Sequence, residues 1–88
     1  MGFRLKLTNR AGKDAKKLEQ IGLDKKAKEL LKIIRENPFQ NPPPYEKPIG
    51  DLKGMYSRRI NIQHRIVYAV VKEDKVIKIL SMYSHYEL

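Results

Sequence analysis

All five prolines of this 88-residue chain, Pro38, Pro42, Pro43, Pro44 and Pro48, fall in one short segment that runs up to Gly50. A proline has no N–H and a fixed φ, so this stretch is closed both to helix and to central strand. The chain is thereby cut into two halves that must build regular structure separately. The connector between them loses less entropy on being held in place than an ordinary loop does. Residues it carries, Tyr45, Glu46 and Lys47, can therefore be presented rigidly, as functional loops often require.

The half before the prolines reads as one strand and two helices. Phe3-Arg4-Leu5-Lys6-Leu7 alternates apolar with basic, the pattern of a strand with one face on a core. Thr8 or Asn9 can then cap a helix whose apolar positions are Ala11, Ala15 and Leu18, ending near Gly22. Asp24 is the next capping candidate. Ala27, Leu30, Leu31 and Ile34 make a wider apolar stripe that stops before Asn37-Pro38, so the two helices form a hairpin.

The half after the prolines reads as three strands. Tyr56 to Ile60 is the first, Asn61-Ile62-Gln63 a tight connection, and Arg65 to Val71, apolar on both faces, a central strand. Glu73-Asp74 marks a turn, and Val76 to Tyr83 the last strand. The fold expected is α+β: an N-terminal strand, a two-helix hairpin and a three-stranded antiparallel meander. The helices pack on one sheet face to bury Leu5, Leu30, Ile34, Val67 and Ile79, which leaves the other face for a ligand.

Length and charge bound the function. A chain of 88 residues supports one domain, 1–88, with a modest core. Lys and Arg number 19 against 10 Asp and Glu, a formal net charge of +9, which attracts RNA, DNA, an anionic membrane or an acidic protein. The absence of cysteine removes disulfides, thiolate nucleophiles and Cys-based zinc sites, leaving His64 and His85 as the imidazoles. No metal or other cofactor is expected. No apolar run spans a bilayer, and Met1-Gly2-Phe3-Arg4-Leu5-Lys6 carries charge where a signal peptide is hydrophobic, so a soluble, cytoplasmic protein without membrane association is the expectation.

Two consecutive antiparallel hairpins bring Arg59, Arg65 and His85 to the same edge of the sheet. With a two-residue turn at Glu73-Asp74, His85 lies opposite Ile62 and near Arg65, although a one-residue slip changes its face. Metal-free cleavage of RNA needs a base for the ribose 2′-hydroxyl, cations for the charge on the phosphorane, and an acid for the 5′-oxygen. Glu46, Arg59 with Arg65, and His85 fill those roles. Arginine suits a phosphate because its planar fork donates two parallel hydrogen bonds. An imidazole with its ordinary pKa of about 6.5 is partly protonated at neutral pH. Tyr86 can stack on a base, and Arg58 adds a cation beside Arg59. Each of these residue types also has a plainer use: loop glutamates and strand arginines are ordinarily solvated or ion-paired, and His64 and Tyr68 are most simply structural.

Asn37-Pro38-Phe39, Glu46, Leu52-Lys53-Gly54, Tyr56-Ser57-Arg58-Arg59-Ile60, His64-Arg65-Ile66-Val67-Tyr68 and His85-Tyr86 together resemble the YoeB/Txe branch of the RelE toxin superfamily. The resemblance runs from about the second helix to the C-terminus. It implies the toxin of a type II toxin–antitoxin pair, a ribosome-dependent endoribonuclease that cuts mRNA in the A site of the 30S subunit and halts translation. By that likeness Glu46 is the general base, Arg65 the transition-state stabiliser, His85 the general acid, Tyr86 its aromatic neighbour and Arg59 a further phosphate contact.

The partners the resemblance implies are an acidic antitoxin, the ribosome with mRNA, a second copy of the chain, and operator DNA through the antitoxin complex. Two features depart from the family pattern. The lysine often found a few residues after the loop glutamate is absent, the nearest being Lys47 and Lys53, and Met55 stands where an aromatic is common. The competing readings are a basic ribosome- or RNA-binding module that blocks translation by occupancy, and a ParE-like toxin directed at gyrase.

Overall fold

The computed structural model describes residues 2–47 and 54–85, the last two by their backbone. Six elements follow in order: β1 (Arg4–Leu7), α1 (Asn9–Gln20), α2 (Asp24–Glu36), β2 (Met55–Arg59), β3 (His64–Val71) and β4 (Val76–His85). The expected α+β order is found. The four strands form one sheet in the order β1-β4-β3-β2, with β2–β3 and β3–β4 antiparallel and β1 added parallel to β4 at the edge. That parallel partner for β1 lay outside the sequence reading.

Thr8 is the N-cap of α1. Its Oγ1 accepts from the N–H of Ala11 at 3.1 Å and donates to the carbonyl of Leu80 at 3.0 Å, so one hydroxyl both starts the helix and ties it to β4. At the other end Gly22, at φ +76°, lets its own N–H reach Glu19 O and that of Leu23 reach Leu18 O, the paired closure of a Schellman motif. Leu23 thereby ends α1 and is at once the N-cap of α2, with no side-chain cap. Asp24, expected as that cap, is instead the first helical residue, where its charge complements the helix dipole. The short connection leaves no residue to spare for a separate cap.

Leu18, Leu30, Ile34, Ile60, Ile66, Tyr68, Ile77, Ile79 and Met82 are the buried core, with Leu5 packed at its margin. Val67, expected there, is only partly buried. On β3 the core face is taken by His64, Ile66 and Tyr68, and period-2 alternation sends Arg65, Val67 and Ala69 to the opposite face. A strand apolar on both faces does not reveal its phase by hydrophobicity.

Next to the Lys72–Lys75 turn the register is the expected one, with Val71 opposite Val76. Two irregularities in the β3–β4 ladder, between Arg65 and Val67 and between Val67 and Tyr68, then move the pairing so that His85 lies opposite His64 and not Ile62. Asp14 stabilises this stretch. It is buried on α1, and its Oδ2 accepts from the N–H of Met82 at 3.0 Å and of Tyr83 at 3.3 Å. A helix carboxylate thus takes two strand donors where the ladder is irregular.

Residues 38–46 of the proline segment lie as a strap under β2. Phe39, Tyr45 and Tyr56 contact one another edge to face or tilted, with centroids 5.1–6.0 Å apart, and Tyr56 continues to Tyr68 at 5.9 Å. Beneath it lies Arg58, only 1% exposed. Its Nη1 donates to Pro43 O at 2.6 Å, its Nη2 to Pro38 O at 3.0 Å and Gln40 O at 2.9 Å, and its Nε to the Tyr68 hydroxyl at 3.2 Å. Tyr68 in turn donates to Pro38 O at 2.8 Å. Burial raises the Tyr68 pKa above that of an ordinary phenol, and the Arg58 charge offsets this only in part. Among the described residues no helix is long and apolar enough to cross a membrane.

Asp14→Ala leaves two strand N–H groups without their acceptor and should cost about 2–4 kcal/mol, lowering Tm by roughly 10–25 °C; Asp14→Asn, which keeps an oxygen, should cost less. Thermal unfolding followed by circular dichroism measures both. The raised Tyr68 pKa means that the folded state holds its proton above pH ~10 more tightly than the unfolded chain does. Its contribution is fully present below that pH and is lost as pH rises through the folded value. Stability measured by urea unfolding should fall above pH ~10, and Tyr68→Phe should flatten that fall.

Candidate active site

The strap delivers Glu46 to the sheet. Its backbone forms a lone antiparallel bridge with Ser57, Glu46 N donating to Ser57 O at 2.8 Å and Ser57 N to Glu46 O at 2.9 Å. The distance that the sequence left open between the loop glutamate and the arginines is closed by these two bonds. Glu46 Oε1 lies 3.6 Å from Arg59 Nε and Oε2 lies 3.7 Å from Arg65 Nη1.

The two arginines come from neighbouring strands. Arg59 of β2 is directly opposite Arg65 of β3 in the ladder, which places their side chains on one face. Arg65 is held more firmly: its side chain is 13% exposed and Nη1 donates to Ser57 Oγ at 3.1 Å. Arg59 and Glu46 are about half exposed. At 3.6–3.7 Å the carboxylate contacts are ion pairs too long for good hydrogen bonds. Between the half-exposed Arg59 and Glu46 such a pair is weak and screened. A phosphate arriving between the arginines can take up their N–H groups, while Glu46 keeps its place through its backbone.

Ser57, Arg59, Arg65, Val67 and Ala69 point away from the helices, as strand alternation requires. Arg58, expected among the phosphate contacts, does not belong to this face. It points the other way, under the strap, with its N–H groups engaged by carbonyl oxygens and Tyr68. The same period-2 rule that separates Ser57 and Arg59 from Arg58 was available in the sequence, and it splits the Arg58-Arg59 pair into two jobs.

His85 is the last residue of β4, paired with His64 and next to the Ser84–Arg65 pair, so its backbone stands at the corner where the arginines meet. Its side chain, Lys53 and Tyr86 lie outside the described residues. Lys47 is exposed one position beyond Glu46. His64 is structural: it is buried, and its ring stacks on Tyr83 at 4.3 Å. Sequence reasoning missed Ser57, whose hydroxyl and backbone hold Arg65 and Glu46 respectively. Its signal was its phase, two residues before Arg59 on the same face of the strand.

The sequence profile of the YoeB-like toxins of bacterial type II toxin–antitoxin systems matches residues 13–86. A toxin YoeB of Synechocystis sp. is 36% identical over 74 residues, which cover 84% of this chain and 77% of that one. Among solved structures, a YoeB/ParE toxin from Agrobacterium tumefaciens superposes with a TM-score of 0.83 at 26% identity, covering 94% of this chain and 99% of the other. Staphylococcus aureus YoeB in a YoeB–YefM complex gives a TM-score of 0.77 at 39% identity, and the same toxin as a dimer 0.79 at 38%; each covers 96% of this chain and 98% of the other. A profile matched over most of its length and a relative 36% identical over 84% of the chain show that it belongs to the YoeB-like toxins of bacterial type II toxin–antitoxin systems.

Proposed function

We propose that this toxin is a ribosome-dependent endoribonuclease that cuts mRNA in the A site and so stops translation. The observation that carries the reading is the placement of Glu46 between Arg59 and Arg65 on the sheet face opposite the helices, with Arg65 oriented by Ser57. Glu46 removes the proton of a ribose 2′-hydroxyl. The freed oxygen attacks the adjacent phosphorus, and the P–O5′ bond breaks. Arg65 and Arg59 stabilise the extra negative charge on the phosphoryl oxygens in the transition state. His85 protonates the departing 5′-oxygen. The balanced products are a 2′,3′-cyclic phosphate and a 5′-hydroxyl end.

In this scheme Tyr86, next to the acid in sequence, would stack on a base, and Lys47 and Lys53 would supply charge for the scissile phosphate in place of the lysine that relatives often carry. Every proton transfer in this scheme is made by a side chain, so no metal or other cofactor is called for. The weak ion pairing of Glu46 favours a site that is completed by substrate: the ribosome holds the mRNA and supplies the positioning that a small open sheet lacks.

The net charge of +9 suits both the ribosome and an acidic antitoxin. The S. aureus relative was solved with YefM and as a dimer, which supports an antitoxin partner and self-association for this chain too. Contact with operator DNA would then run through the antitoxin complex. The work is done in the cytoplasm, where translating ribosomes are found.

A translation reaction programmed with one defined mRNA, with 5′ ends mapped by primer extension, tests the reading. The wild-type chain should create new ends within the A-site codon. Glu46→Gln and His85→Ala should slow cleavage by about 10²–10⁴-fold, and Arg65→Met by about 10²–10³-fold, with ribosome binding retained. Translation arrested on intact mRNA would favour the occupancy mechanism. Unaffected translation would turn attention to gyrase.

A further inference from the structure

We infer that Arg58 is a positioning residue for cleavage: from the core side of the sheet it locks the proline strap that carries Glu46. The inference rests on Glu46 being the general base. Arg58 touches no position where substrate can lie, being 1% exposed on the opposite face from Arg59 and Arg65.

The strap has a hydrogen-bonding problem of its own. Prolines at 42, 43 and 44 offer no N–H, so this part of the segment cannot extend the sheet ladder, yet its carbonyls turned toward the protein must find donors. Arg58 gathers three of them, from Pro38, Gln40 and Pro43, at 2.6–3.0 Å. Its Nε donates to the Tyr68 hydroxyl, and its guanidinium carbon lies 5.2 Å from the centre of the Tyr45 ring, one residue before Glu46. These partners are carbonyl dipoles, a phenol oxygen and a ring face. A planar fork with five N–H groups can serve three carbonyls at fixed angles, whereas a lysine ammonium with three donors on a flexible stem cannot reproduce the geometry.

The consequence reaches the reacting atoms through two steps. Arg58 fixes the strap from Pro38 to Tyr45. The Glu46–Ser57 bridge, formed with the residue just before Arg58, then fixes the carboxylate against Arg65. That bridge is a single pair of hydrogen bonds and cannot by itself hold a chain whose proline-rich approach is loose. Since a displacement of about 1 Å at a catalytic group can cost 10²-fold in rate, loss of the clamp should reduce the chemical step and leave ribosome binding, which depends on exposed cations, unchanged.

The test uses the full chain with ribosomes programmed by a defined mRNA, in single turnover, for wild type, Arg58→Lys, Arg58→Met and the near-isosteric Tyr68→Phe, which trims the clamp and preserves the core. Hydrogen exchange is followed on the same proteins. The expected results are a ~100-fold slower cleavage step for Arg58→Met, a smaller loss for Arg58→Lys and for Tyr68→Phe, and ribosome affinity within twofold of wild type. Amide protection should drop at Glu46 and Ser57 while Ile66 and Ile77 keep theirs. Cleavage within threefold of wild type in Arg58→Met, or unchanged protection at Glu46, would overturn the inference. So would protection lost evenly across the core in Tyr68→Phe as well as Arg58→Met, which would make the residue a general stabiliser. If wild type failed to cleave, the nuclease reading itself would fall, and the exchange data would still decide whether Arg58 holds the strap.

Discussion

The buried guanidinium of Arg58 is the contact around which the functional half of this molecule is arranged. A proline-rich connector is stiff but poor in donors, and it docks only where something else supplies N–H groups to its carbonyls. One arginine does so for Pro38, Gln40 and Pro43. Its charge is accommodated by dipoles and by Tyr68, whose phenol stays protonated because burial outweighs the nearby cation. With the strap in place, the aromatic cluster of Phe39, Tyr45 and Tyr56 closes over it and Glu46 meets Ser57.

Three consecutive residues then carry three different duties because a strand alternates faces. Ser57 binds the backbone of Glu46 and the guanidinium of Arg65, Arg58 grips the strap from below, and Arg59 returns to the open face beside the carboxylate. The strength of each contact matches its duty. The buried bonds of Arg58 lie within hydrogen-bonding distance and are shielded from water, as suits a fixed support. The ion pairs of Glu46 are longer and partly exposed, as suits groups that, in the proposed mechanism, exchange one another for a phosphate and a hydroxyl.

Much of the architecture was legible in local pattern. Thr8 capped its helix as its position implied, Gly22 closed it, Asn37-Pro38 ended the next, and the three strands after the prolines formed the expected antiparallel set. Element identity follows from features within a few residues of each other, such as period, caps and missing donors. What failed was phase. A strand apolar throughout predicts Val67 in the core, where it is only partly buried; adjacency groups Arg58 with Arg59, which take opposite faces; and an unbroken ladder sets His85 opposite Ile62, whereas two irregularities bring it to His64. Each error concerns which of two faces or registers a strand adopts, and a one-residue difference reverses the answer.

The sequence by itself determined that the chain has a helical half and a strand half, that a stiff segment joins them, and that a glutamate, arginines and a late histidine are available to a polyanion. Proline chemistry, periodicity and charge are properties of residues and near neighbours, so they survive without coordinates. Only the tertiary structure decided which arginine holds the strap and which takes the opposite face of the sheet, and that Glu46 stands between Arg59 and Arg65. It also decided that Asp14 on a helix secures the strand leading to His85. Those outcomes depend on where donors and acceptors distant in the chain meet out of water, and a buried carbonyl or N–H takes whichever partner the packing brings to it.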